Sequence, residues 1–243
     1  MSINYYQRIV EEFTFENKPL LLASTVSSAV GFLTYFMCVR KTLTEGKGPM
    51  PFWMHTFFLA HDSVWCYLLG QAAPQYDNHW YLAGMSKGLF VWSLLEIWCI
   101  YKTIKEDRKR TFSSFFGPDP PLSSVLFYTV ANVLAMYGIV VLGIILMGDE
   151  CVMQWFGLTN VVAAVGPMHE YLRRGSREGL SLVFCFLNII GTIWTFAPFG
   201  MWVLVLPEIY DQFAYYAIGS MMVLYSILAY AIVAAYPSKT KLT

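Results

Sequence analysis

The chain has 243 residues, 57% hydrophobic, 17% aromatic and 13% charged, with 16 basic side chains balanced by 16 acidic ones. A soluble domain carries roughly 25% charged residues, so this composition belongs to a polytopic membrane protein, and zero formal net charge argues against a nucleic-acid partner. The five cysteines (Cys38, Cys66, Cys99, Cys151 and Cys185) lie in or at the ends of apolar stretches without Cys-x-x-Cys spacing and read as small core residues.

Residues 1–18 contain Arg8, Glu11, Glu12, Glu16 and Lys18 and lack a short apolar core, so no cleaved signal peptide is expected and the first span targets the chain. Seven apolar segments follow, at about 19–39, 51–70, 81–101, 122–147, 151–172, 180–206 and 212–236. Each is long enough to cross the ~30 Å hydrocarbon core as a helix. The expected fold is an all-α integral membrane protein with one seven-helix transmembrane domain over 19–236 and a short tail over 237–243.

The joins between segments carry the charge. Arg40, Lys41 and Lys47 follow the first span; Lys102, Lys105, Arg108, Lys109 and Arg110 follow the third; Arg173, Arg174 and Arg177 follow the fifth; Lys239 and Lys241 end the chain. The alternate joins, 71–80, 148–150 and 207–211, have no Lys or Arg. The positive-inside rule then puts the N-terminus on the lumenal side and the C-terminus in the cytosol. The terminal Lys239-Thr240-Lys241-Leu242-Thr243 resembles the KxKxx signal that returns membrane proteins to the endoplasmic reticulum.

A shift of 133 positions lays the first three spans over the last three. Arg40-Lys41-x-x-x-Glu45-Gly46 falls on Arg173-Arg174-x-x-x-Glu178-Gly179, and His55 falls on Asn188. This predicts a 3+1+3 parallel-repeat arrangement: repeat one over about 19–101, a linker helix over 122–147 and repeat two over about 151–236.

The second span, from Pro51 to Gly70, carries His55, His61 and Asp62 where hydrocarbon is normal. An acid at the membrane centre costs at least ~2.5–3.5 kcal/mol, so Asp62 needs a partner, a proton or a job. Apolar surroundings favour the neutral carboxyl form, which is what general acid chemistry uses. A structural pair with His61 is disfavoured because adjacent helical residues point about 100° apart, and Lys87 is nearer the lumenal end, where it snorkels or pairs with a carboxylate. Asn132, Asn160, Asn188 and Tyr225 fall near the depth of Asp62, on spans four to seven. Taken singly, each asparagine is explained as interhelical glue worth roughly 0.6 kcal/mol. His55 lies two turns before Asp62 on the same face, Glu96 on the third span lies near its level, and Trp92 sits one turn from Glu96. Deep aromatics such as Trp65, Trp92 and Trp194 offer π faces to a cation or simply pack.

Several chemistries lack their parts. The chain has no GxxxxGK[ST], GxSxG or HExxH, only four histidines (His55, His61, His79 and His169), and Asp107, Asp119 and Asp149 stand singly. No metal and no cofactor are expected.

With these residues in hand, the chain resembles the fungal membrane-bound meroterpenoid and indole-diterpene cyclases of the paxilline and pyripyropene pathways. The acid-bearing second span of that family reads like Trp-Glu-x-Val-Tyr, matched here by His61-Asp62-Ser63-Val64-Trp65. Its Arg-Gly-Ser-x-x-Gly-x-Ser loop is matched by Arg174-Gly175-Ser176-Arg177-Glu178-Gly179-Leu180-Ser181. The resemblance implies protonation of the terminal epoxide of a lipophilic prenylated aromatic substrate, then ring closure through carbocations. It maps the acid onto Asp62; the midplane Asn132, Asn160 and Asn188, expected to converge on a common interior, and the deep Trp65, Trp92 and Trp194 are then expected to line the substrate pocket. The family's second acid, on its last span, is missing from Phe213 to Tyr236. Either Tyr225, Glu96 or His55 takes its place, or a substrate hydroxyl traps the cation, as a divergent relative of the ascofuranone and ascochlorin type would allow.

The alternative is a small-solute transporter of the PQ-loop or SWEET type, whose loop signature resembles Pro167-x-x-x-Tyr171-x-x-Arg174-x-Ser176-x-Glu178-Gly179-Leu180-Ser181. The usual glutamine after the proline is Met168 here, and Pro167 and Pro198 have Thr34 and Trp65 as their partners in the repeat.

Overall fold

A computed structural model describes residues 4–148 and 150–237. The lysines of the retrieval-like tail, Lys239 and Lys241, and the lone Asp149 lie outside the described residues. All regular structure among the described residues is helical. In chain order the helices are α1 (Tyr5–Glu12), α2 (Lys18–Glu45), α3 (Phe52–Ala72), α4 (Trp80–Glu106), α5 (Arg108–Phe116), α6 (Leu122–Met147), α7 (Val152–Arg174), α8 (Leu182–Phe196), α9 (Met201–Val205), α10 (Pro207–Tyr210) and α11 (Phe213–Ala235).

Helix covers each of the seven predicted spans. Five of them, Lys18–Glu45, Trp80–Glu106, Leu122–Met147, Leu182–Val205 and Phe213–Ala235, are long and apolar enough to cross a membrane. The protein is therefore a multi-pass α-helical membrane protein. The other two positions are α3 and α7, whose hydropathy is lowered by polar residues: His55, Thr56, His61, Asp62 and Ser63 on α3, and Gln154, Asn160, His169 and Glu170 on α7. The sixth predicted span is interrupted between α8 and α9. Ala197 is extended (φ −74°, ψ 151°) ahead of Pro198, whose ring disfavours helix in the preceding residue.

The described chain forms two compact units. One comprises residues 4–10 and 52–152, the other residues 11–51 and 153–237. This grouping places α2 with the last three predicted spans, whereas the sequence repeat pairs it with α3 and α4.

In the first unit α3 packs on both α4 and α6. It turns most of its circumference inward, burying Met54, Ala60, Trp65 and Leu69 together with His55, Thr56, His61 and Asp62. α6 shows the opposite pattern, with a single stripe of Val125, Thr129, Val140 and Ile144 buried. Phe127, Leu134, Ile145 and Leu146 on its other faces are 65–79% exposed, an apolar surface that suits lipid. At the foot of this unit α5 tucks Phe112 against Phe52, with ring centroids 4.9 Å apart at 76°, in a cluster completed by Ile100 and Val125.

In the second unit α8 packs between α2 and α11. Trp194 donates its indole N–H to the Ala23 carbonyl on α2 at 3.0 Å, and the Thr192 and Ser226 hydroxyls meet at 3.3 Å between α8 and α11. Trp202 and Tyr210 both donate to the Met153 carbonyl at the start of α7.

The two loops that superpose in the repeat clasp each other at one end of this unit. Glu45 accepts from the Gly179 amide at 2.6 Å, Lys47 pairs with Glu178, and Arg174 donates to the Gly48 carbonyl at 2.6 Å. Arg174 also bonds Glu170 at 2.6 Å, with both side chains about 95% buried or more. Arg177 reaches the last turn of α11 through the carbonyls of Val233 and Ala234. These arginines thus have structural roles within the unit.

Gly179 is where the clasp has least room. Its φ is +67°, and a Cβ there would lie 2.1 Å from Arg174 Nη1 and 3.1 Å from the Lys47 carbonyl. Gly175 also has a positive φ, +58°, but has open space around it. The backbone strain of a positive φ is common to both sites, so crowding of the added methyl should make Gly179→Ala less stable than Gly175→Ala by ~1–3 kcal/mol in detergent. Equal losses in a thermal-unfolding comparison would show that the clasp tolerates the extra methyl.

Candidate acid and base site

The polar residues of α3 are explained by what packs around them. Asp62 lies halfway along the helix and is 3% exposed, with His55 and His61 at 2% and Thr56 and Glu96 at 0%. Buried polar groups need partners, because each one left unsatisfied costs ~1–3 kcal/mol.

Two acid and imidazole pairs result. His55 Nδ1 lies 2.5 Å from Glu96 Oε2, joining α3 to α4, as the common level of the two residues in the sequence suggested. His61 Nδ1 lies 2.8 Å from Asp62 Oδ1. This second pair corrects the expectation from sequence that His61 points away. The 100° step separates Cβ directions only, and rotation about the side-chain torsions brings the tips of neighbouring residues together. Seven residues separate His55 from Asp62, so the two pairs stand about 10 Å apart along one face of α3.

The α6 side of α3 is held by hydroxyls and an amide. Asn132 donates to the Thr56 hydroxyl at 2.7 Å, and Thr56 in turn donates to the Trp53 carbonyl at 2.8 Å. Ser63 donates to the Leu59 carbonyl at 2.7 Å, so the Tyr137 hydroxyl, 2.6 Å from Ser63 Oγ, is the donor to it. Thr56, Ser63 and Tyr137 were given no site role from sequence; the clue available was that Thr56 and Ser63 flank His55 and Asp62 on an otherwise apolar helix.

Of the other predicted site residues, Trp65 is wholly buried one turn beyond Asp62. Its indole N–H has no hydrogen-bond partner among the described residues. Trp92 is half-buried on α4, one turn before Glu96, and Lys87 is exposed on the same helix. Asn160, Asn188, Trp194 and Tyr225 belong to the second unit. There Asn160 donates to the Phe156 carbonyl of its own helix at 2.8 Å, Trp194 ties α8 to α2, and Asn188 and Tyr225 are half-buried on α8 and α11.

The arrangement thus gathers Asp62, His55, Glu96 and Trp65 in one unit. Chemically it offers a carboxyl group shielded from water, a second carboxyl paired with an imidazole, and a buried N–H without an acceptor.

The His55 and Glu96 pair can be tested without a substrate. Removing one member of a buried ion pair typically costs 3–5 kcal/mol, whereas apolar replacement of both is often neutral. Glu96→Leu should therefore be strongly destabilised, and His55→Leu/Glu96→Leu should recover much of the loss. A double variant less stable than either single, measured by thermal unfolding in detergent, would contradict the pairing.

No protein-family model, curated protein or solved structure matches the chain.

Proposed function

We propose that the chain is a membrane-bound terpene cyclase with seven spans, a lumenal N-terminus and a cytosolic C-terminus, resident in the endoplasmic reticulum. The observation that carries this reading is Asp62, a carboxyl group halfway along a helix and 3% exposed. The resemblance of His61-Asp62-Ser63-Val64-Trp65 to the acid motif of the meroterpenoid cyclases supports it.

A lipophilic epoxy-prenylated aromatic substrate partitions into the bilayer and reaches the site from within it. Asp62 gives its proton to the epoxide oxygen as the C–O bond to the more substituted carbon opens. The π electrons of the neighbouring alkene form the new C–C bond and pass the positive charge along the chain. Aromatic faces such as those of Trp65 and Trp92 stabilise the cation, and a dry site keeps water from quenching it. The last proton goes to Glu96, His55 or the Asp62 carboxylate, lost either from a carbon next to the cation or from a substrate hydroxyl that has attacked it. The free indole N–H of Trp65 suits an oxygen of the substrate head group.

General acid assistance is typically worth 10²–10⁴-fold. In yeast microsomes given epoxyfarnesyl aromatic compounds, the wild type should yield an isomer of unchanged mass and new retention time. Asp62→Asn should lose that product by at least ~10²-fold. A stably inserted Asp62→Asn protein that cyclises at the wild-type rate would end this reading.

A second reading, a small-solute transporter, draws on Pro167 inside α7, since a proline within a helix supplies a bend. Sugar or amino-acid uptake by the wild type, with no cyclised product, would favour it.

A further inference from the structure

His61 was set aside by the sequence argument and has no part in the proposed proton transfer, yet it is the nearest polar contact of the acid. Its Nδ1 lies 2.8 Å from Asp62 Oδ1, and both side chains are at least 95% buried. The ring is itself held, because it stacks on Phe57, one turn earlier on α3, with centroids 6.3 Å apart and planes 23° from parallel.

A carboxylic acid has two oxygens and one proton. With Oδ1 facing the imidazole, the proton available for transfer is on Oδ2. When that proton leaves, a carboxylate charge develops in an apolar site. An N–H already directed at Oδ1 stabilises that charge without any group having to rotate. Removing one such preorganised donor from an enzyme typically lowers kcat by 10²–10³-fold.

We propose that His61 is the positioning residue of Asp62: held by Phe57, its Nδ1–H binds Oδ1, leaves the working proton on Oδ2 and stabilises the carboxylate formed when that proton is given up. The step balances as the Asp62 Oδ2–H bond breaking while an O–H bond forms on the substrate oxygen; His61 keeps its own proton throughout. This role rests on the acid reading of Asp62, whereas the pairing itself is open to a direct spectroscopic test.

The experiment uses the full chain in lipid vesicles. The infrared C=O stretch of protonated Asp62 is identified as the band that vanishes in Asp62→Asn. That band should move in His61→Leu and stay near its wild-type position in His61→Asn, whose amide places a donor where Nδ1 stands. With substrate, His61→Leu should lose ~10²-fold in kcat with little change in KM, and His61→Asn should remain within several-fold of the wild type. A band unmoved in His61→Leu, or equal kcat losses in both variants despite normal insertion, would overturn the proposal. If His61→Leu does not insert, Phe57→Leu, which leaves both polar groups in place but frees the ring, should broaden the band and lower kcat; no change in either would again overturn it. A band that shifts as expected in a wild type that cyclises nothing retires the cyclase reading and leaves the pairing established. An unmoved band beside full turnover retires the positioning role alone.

Discussion

The constraint on which the first unit depends is that polar groups placed on a membrane helix must find partners away from lipid. α3 has two histidines, an aspartate, a threonine and a serine within Phe52–Ala72, and its inward faces accommodate them only because α4 and α6 close over it. Each partner comes from a definite place: Glu96 from α4, Asn132 and Tyr137 from α6, and His61 from the next residue in the chain. α3, with polar side chains along the middle of its length, is accordingly the most enclosed, and α6, rich in leucine and isoleucine, is left outermost.

The second unit solves a different problem, the joining of helix ends. Its arginines and glutamates bond backbone carbonyls and amides of neighbouring loops, so that Glu170, Arg174 and Gly179 act together with Glu45 and Gly48. The charges on which the expected orientation rests also tie α2, α7 and α11 together at one end. Side chains with delocalised charge and several donors suit that task, since one guanidinium reaches Glu170, Glu178 and Gly48 at once.

The proposed chemistry needs an acid that retains its proton, a base for the end of the sequence, and walls that tolerate a cation. Asp62, the Glu96 and His55 pair, and Trp65 with Trp92 supply residue types for these roles within one unit. The acid expected on the last span of the resembled family is absent from α11. In the proposed mechanism Glu96 on α4, held by His55, offers the corresponding carboxylate.

Hydropathy, charge distribution and helix period are local properties, and they alone located the five helices long and apolar enough to cross a membrane and marked Asp62, His55 and Glu96 as anomalies. Helix length follows from backbone rise and helix existence from apolar runs, so both were legible. The break between α8 and α9 was also written locally, in Pro198, though the apolar run masked it. What the tertiary structure decided was partnership. Whether His61 meets Asp62 depends on side-chain torsions settled by packing on Phe57, and whether Asn132 binds a ligand or Thr56 depends on which helix lies alongside α6. The grouping of α2 with α8 and α11, against the division implied by the repeat, is likewise a matter of which surfaces fit. A sequence states which groups need partners; only the packed chain, where distance and direction exist, chooses them.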